Sequence, residues 1–71
     1  MTMEFEILKF ISERHVVPKR ELMEKFSEID KNLIKSIISS LESKKLISII
    51  NPIGSDTIVI TRRGLQEVEK S

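Results

Sequence analysis

A chain of 71 residues supports one small domain, spanning 1–71, close to the lower limit of what a single core can hold together. It contains no cysteine, which excludes a disulfide or thiolate metal site and leaves packing or association as the sources of stability. An apolar fraction of 39% is that of a folded chain, and twelve Lys and Arg against eleven Asp and Glu leave a formal charge of +1, too little for the whole molecule to attract a polyanion.

The first helix is predicted over Met3–Arg14. Ile7, Leu8 and Ile11 centre its apolar stripe, Met3 and Phe10 extend one flank, and Phe5 lies outside it. This arc exceeds the needs of one small core, so the surplus is either scattered surface hydrophobes or a subunit contact. His15-Val16-Val17 ends at a proline, which favours extended backbone before it and suits a short strand. Pro18 then fits the first turn of a second helix, where its missing N–H costs nothing. Leu22, Met23 and Phe26 form the buried side of that helix, and Lys19, Arg20, Glu21 and Glu24 its solvent side. Ser27-Glu28-Ile29 makes a tight connection with Ile29 inward, and Asp30 is a good N-cap for a third helix, Lys31–Lys44. There Leu33, Ile34, Ile37, Ile38 and Leu41 share one face at about 100° per residue, while Asn32, Lys35, Ser36, Ser39 and Ser43 occupy the other.

After Leu46 the apolar period shortens towards that of a strand. Ile47–Asn51 and Thr57–Ile60, separated by Pro52-Ile53-Gly54-Ser55-Asp56, are expected to form a hairpin. Thr61 caps a last helix from Arg62 to about Lys70, with Leu65 and Val68 facing in. The predicted class is mainly α with a small β-hairpin (α+β). Its order α-β-α-α-β-β-α is that of a winged helix-turn-helix, with the helix-turn-helix at about 18–45 and the wing at about 47–60.

Three motifs carry a family likeness: ELMEKF in the second helix, LESKKLI closing the third, and ITRRG after the hairpin. The stretch Glu21–Gly64 resembles winged-helix regulators of the multiple-antibiotic-resistance and related bacterial and archaeal families, in which these patterns read approximately ELAEKL, LEEKGLI and LTEKG. The resemblance covers most of the chain and implies a transcriptional regulator that lays its third helix in the major groove of double-stranded DNA. Three departures stand out. Lys45 takes the place of a glycine at a helix end that often needs positive φ, so a small strain is expected there. The turn at Ser27-Glu28-Ile29 also lacks glycine. Serines at 36, 39 and 40, and a wing whose one charge is Asp56, replace the family's usual cations.

In such a docking Asn32, Lys35, Ser36 and Ser39 face base edges, asparagine suiting adenine and lysine suiting guanine acceptors. Lys19 and Arg20 reach phosphates beside the start of the second helix, and Lys31 does so at the start of the third. Ser55 or Asn51 offers a minor-groove contact, against repulsion of phosphate by Asp56. So few cations predict modest, salt-sensitive affinity. Lys44-Lys45 is explained by the helix end it occupies; Arg62-Arg63 stands at the wrong end of a helix for the macrodipole and reads as a solvated pair, with a phosphate contact near the wing's base as the alternative. If Ile58 and Ile60 face the core, Val59 points outward and Ile49 joins it. With Met3, Phe5 and Phe10 these would make a homodimer surface presenting two recognition helices to a pseudo-palindromic site.

Catalysis, metal binding and cofactors find no support. His15 is the single histidine, and the sequence has neither a glycine-rich phosphate loop nor a ligand cluster. The chain lacks a run of about 18 apolar residues and a signal-peptide layout, so a soluble cytoplasmic protein with no membrane contact is expected. The rival expectation is a winged-helix module that docks onto protein partners within a transcription, replication or other assembly. It is motivated by the wing without cations, the near-neutral total and the outward Ile49, Val59 and Phe5.

Overall fold

The structure is a computed structural model that describes residues 2–51 and 54–70. Its elements follow the predicted order: α1 (Met3–Arg14), β1 (Val16–Pro18), α2 (Lys19–Lys25), α3 (Lys31–Ser43), β2 (Ile47–Ile50), β3 (Thr57–Ile60) and α4 (Arg62–Lys70). Pro52 and Ile53, in the expected wing loop, lie outside the described residues. Among those residues no helix is long and apolar enough to cross a membrane.

Local chemistry sets the helix ends. The Thr2 hydroxyl accepts the Phe5 N–H at 3.2 Å, and Asp30 Oδ1 accepts the Asn32 N–H at 2.8 Å. At the end of α3 the Leu46 N–H donates to Leu41 O and the Lys45 N–H to Glu42 O, both at 3.0 Å, with Lys45 at φ 67°. This is the left-handed closure for which glycine is usual, so the strain expected at Lys45 is present. Thr61 then joins α3 to α4. Its Oγ1 lies 2.7 Å from Lys45 O and 2.9 Å from Leu46 O, and accepts the Gly64 N–H at 3.1 Å.

The strands form one antiparallel sheet in the order β1-β3-β2, so the expected short strand joins the expected two-stranded hairpin along β3. Val17 is fully buried and sits opposite Ile58, so burying that side chain draws β1 onto the hairpin. His15, at φ 68°, ends α1 by donating to Ile11 O at 2.7 Å, and its own carbonyl accepts the Ile60 N–H at 3.0 Å. Pro18 ends an edge strand, where a missing donor does little harm.

Register overturns one expectation. Directly opposed residues share a sheet face, and Ile49 opposes Ile58, so Ile49 lies on the core side and packs against the core. The outward companions of Val59 are Val16 and Ser48; Pro18, Thr57 and Ile50 complete that outer face. Phe10 is likewise not a free surface residue. It packs against the core and meets the Phe26 ring edge-on at 5.8 Å, with the Arg14 guanidinium and the Lys25 ammonium each 5.8 Å from its centroid. Of the expected homodimer residues, Met3 is exposed and Phe5 and Val59 are half-buried.

The core is continuous across the elements. Ile7, Leu8 and Ile11 of α1 meet Ile34, Ile37, Ile38 and Leu41 of α3, with Leu22, Val17, Leu46, Ile47, Ile58 and Ile60 completing it. Each such side chain contributes roughly 1.5–3 kcal/mol when fully buried. Leu33 departs from the predicted stripe: 47% of it is exposed. Gly64 explains the last letter of ITRRG, because a Cβ there would collide with the Leu46 carbonyl and the Ile60 side chain. Gly64→Ala should therefore destabilise the fold by about 1–3 kcal/mol, read as a lowered urea midpoint; an unchanged midpoint would refute that close approach.

Candidate nucleic-acid interface

Burying Ile34, Ile37, Ile38 and Leu41 turns the opposite side of α3 to solvent. Lys31, Asn32, Lys35, Ser36, Ser39 and Ser43 are all exposed. Asn32 gives its backbone N–H to the Asp30 cap, which leaves its carboxamide for other partners. Among the described residues no ion pair or side-chain hydrogen bond engages Lys31, Lys35, Ser36 or Ser39. Ser36, Ser39 and Ser43 carry short side chains on this side, so another molecule can approach the backbone closely.

Ser40 has a different role. Its hydroxyl donates to Glu4 Oε2 at 3.0 Å, while Lys44 Nζ meets Glu4 Oε1 at 2.8 Å. These bonds tie the C-terminal half of α3 to the start of α1 and limit its roll about its own axis. Lys44 thus has a specific partner beyond the helix-end preference expected for it.

A second group gathers where α2 begins. Lys19, Arg20 and Ser55 line an open cleft of about 440 Å³ with Pro18, Met23, Gly54 and Asp56. The expected phosphate contacts and the described part of the wing loop are therefore adjacent. Lys19 is only partly available, however. Its Nζ lies 3.6 Å from Asp56 Oδ2, and its backbone N–H donates to Asp56 O at 3.0 Å. Asn51 Nδ2 donates to the other Asp56 oxygen at 3.1 Å. The carboxylate expected to repel phosphate is thereby partly neutralised, and Asn51, a candidate minor-groove reader, is occupied in doing so. Arg20, Lys31 and Lys35 remain exposed without an ion pair among the described residues.

Arg63 lines a separate cleft of about 630 Å³ with Thr2, Phe5, Lys44 and Gln66, between α1, the end of α3 and α4. That places it apart from the Arg20 group. His15, exposed at the end of α1, stands beside no cluster of metal-ligating side chains among the described residues.

The hydrogen bond from Lys44, aided by that from Ser40 and opposed by partial burial, holds the Glu4 carboxyl below its ordinary value of 4.5. A carboxyl depressed in this way stabilises the fold above its unfolded pKa, and the contribution is lost as pH falls through the folded one. Glu4→Gln should thus lower stability at neutral pH by no more than about 1 kcal/mol. The gap in thermal midpoint between the two proteins should then narrow as pH drops below about 4.5; a gap independent of pH would contradict the pairing.

Searches for a matching protein family, curated protein or solved structure returned none.

Proposed function

We propose that the chain binds double-stranded DNA as a small winged helix-turn-helix transcriptional regulator, with α3 in the major groove. The observation that carries this reading is the unoccupied side of α3, where Lys31, Asn32, Lys35, Ser36 and Ser39 stand free of the chain's own partners. A helix with its side chains is about 10–12 Å across and the groove about 12 Å wide, so short serines favour deep insertion. In this arrangement α2, the turn and α3 are the helix-turn-helix, and β2 and β3 the wing. Arg20 and Lys31 contact phosphates, and Lys19 joins them when a phosphate displaces it from its half-buried pair with Asp56. Asn32 reads adenine, Lys35 reads guanine acceptors, and the two serines adapt to their neighbours. Two copies bound to a pseudo-palindrome would place their α3 helices about 34 Å apart, one turn of the duplex.

A second reading, docking onto a protein partner, is favoured by the sheet's uncharged outer face, where Val16 is 50% and Ile50 45% exposed. The two separate on a duplex-DNA column. With Arg20, Lys31 and the displaced Lys19 each neutralising one phosphate, the slope of log K against log salt should be about −3 per chain. Lys31→Ala should reduce the magnitude of that slope by about 1, whereas Lys35→Ala should weaken binding chiefly to sites with guanine at the contacted position. Asn32→Ala should relax choice at one adenine by about 1–3 kcal/mol, measured by selection from random duplexes, with light scattering reporting whether one or two chains bind. Flow-through at about 50 mM salt, where phosphate binding is strong, would leave protein docking as the better description.

A further inference from the structure

Leu33 has no structural reason to be leucine. It is the third residue of α3, it is 47% exposed, and the core side of the helix is already filled by Ile34, Ile37, Ile38 and Leu41. The other exposed large hydrophobes among the described residues lie elsewhere: Val16 and Ile50 on the outer sheet face, Met3 at the start of α1. Leu33 instead follows Asn32 directly and precedes Ser36 by one turn, both exposed. Helical side chains lean towards the N-terminus, so Leu33 covers the first turn of α3. In a helix-turn-helix that is the end that reaches base edges.

The base edges of the major groove display one apolar group, the 5-methyl of thymine. We infer that Leu33 is a specificity-determining residue that recognises this methyl group. The inference rests on the DNA-binding reading and adds a preferred substrate to it, a duplex with thymine near the adenine read by Asn32. Asn32 and Leu33 lie about 100° apart around the helix, so they address different bases, on neighbouring pairs or on opposite strands. Ser36, between them and short, leaves Leu33 room to reach the methyl group.

The test uses the full chain and a duplex recovered by selection, prepared once with thymine and once with deoxyuridine, which differ only by that methyl. At fixed salt the loss of one contacted methyl should weaken binding about fourfold, the effect of exposing one carbon. In Leu33→Ala and Leu33→Gln the two duplexes should bind within about twofold of each other, because the coupling between side chain and methyl is gone. Equal binding of both duplexes by the unaltered chain, or an undiminished methyl effect in both variants, overturns the role of Leu33 while DNA binding stands. Failure to bind either duplex at low salt overturns DNA binding and the inference together.

Discussion

The structure depends on the burial of one side of α3. Isoleucine is a middling helix former, and α3 draws much of its apolar stripe from it, so packing rather than propensity holds this segment helical. The stripe is clamped between Ile7, Leu8 and Ile11 of α1 and the inner face of the sheet. A helix in a two-layer domain can bury only one side. Fixing Ile34, Ile37, Ile38 and Leu41 inward therefore also fixes which residues face out. A roll of one residue, about 100°, would put Lys35 against the core and expose Ile34. The Glu4 contacts with Ser40 and Lys44 act against such a roll.

Charge is distributed by the same packing. A formal total of +1 suggests a molecule indifferent to DNA, but many of the charges answer one another within the fold. Arg14 pairs with Glu21, Lys44 with Glu4, Lys70 with Glu67, and Lys19 with Asp56. Among the described cations without an ion pair, Arg20, Lys31 and Lys35 are those near the side of α3 proposed to meet DNA, while Lys9, Lys25, Lys45, Arg62 and Arg63 lie elsewhere. So few cations supply little phosphate binding, and a half-buried ion pair at 3.6 Å such as Lys19–Asp56 contributes little stability and can yield to a competing anion. On the proposed reading, affinity built this way would depend on salt and on a good fit of α3 to the groove.

What the sequence disclosed was local, and what it concealed was contact between distant segments. Asp30 and Thr61 announce their helices because a cap is chosen within one turn, and Lys45 betrays its positive φ by standing where a glycine is usual. The short strand before Pro18 was legible but its partner was not, since Val17 becomes a sheet residue only when Ile58 arrives opposite it. The side of Ile49 depends on hairpin register, where a slip of one residue exchanges the two faces. Leu33 fits the apolar spacing but falls at its edge, and only the coordinates separate an edge from a centre. Of the candidate site, the α3 face was legible as a pattern, whereas the tie between Lys19 and Asp56 and the role of Glu4 were not. The pairing of Phe10 with Phe26 was hidden for a similar reason, since Phe26 stands just beyond the end of α2 and far from Phe10 in sequence.

On the proposed reading, α3 offers its free side to a duplex. Amide chemical-shift mapping of the isotope-labelled chain, titrated with a short duplex at low salt, tests it most directly. Shifts concentrated at Lys31, Asn32, Lys35, Ser36 and Ser39, with a second group at Arg20 and Ser55 and none on the outer sheet face at Val16 and Ile50, are the expected result. Shifts confined to that sheet face, or none anywhere, would contradict it.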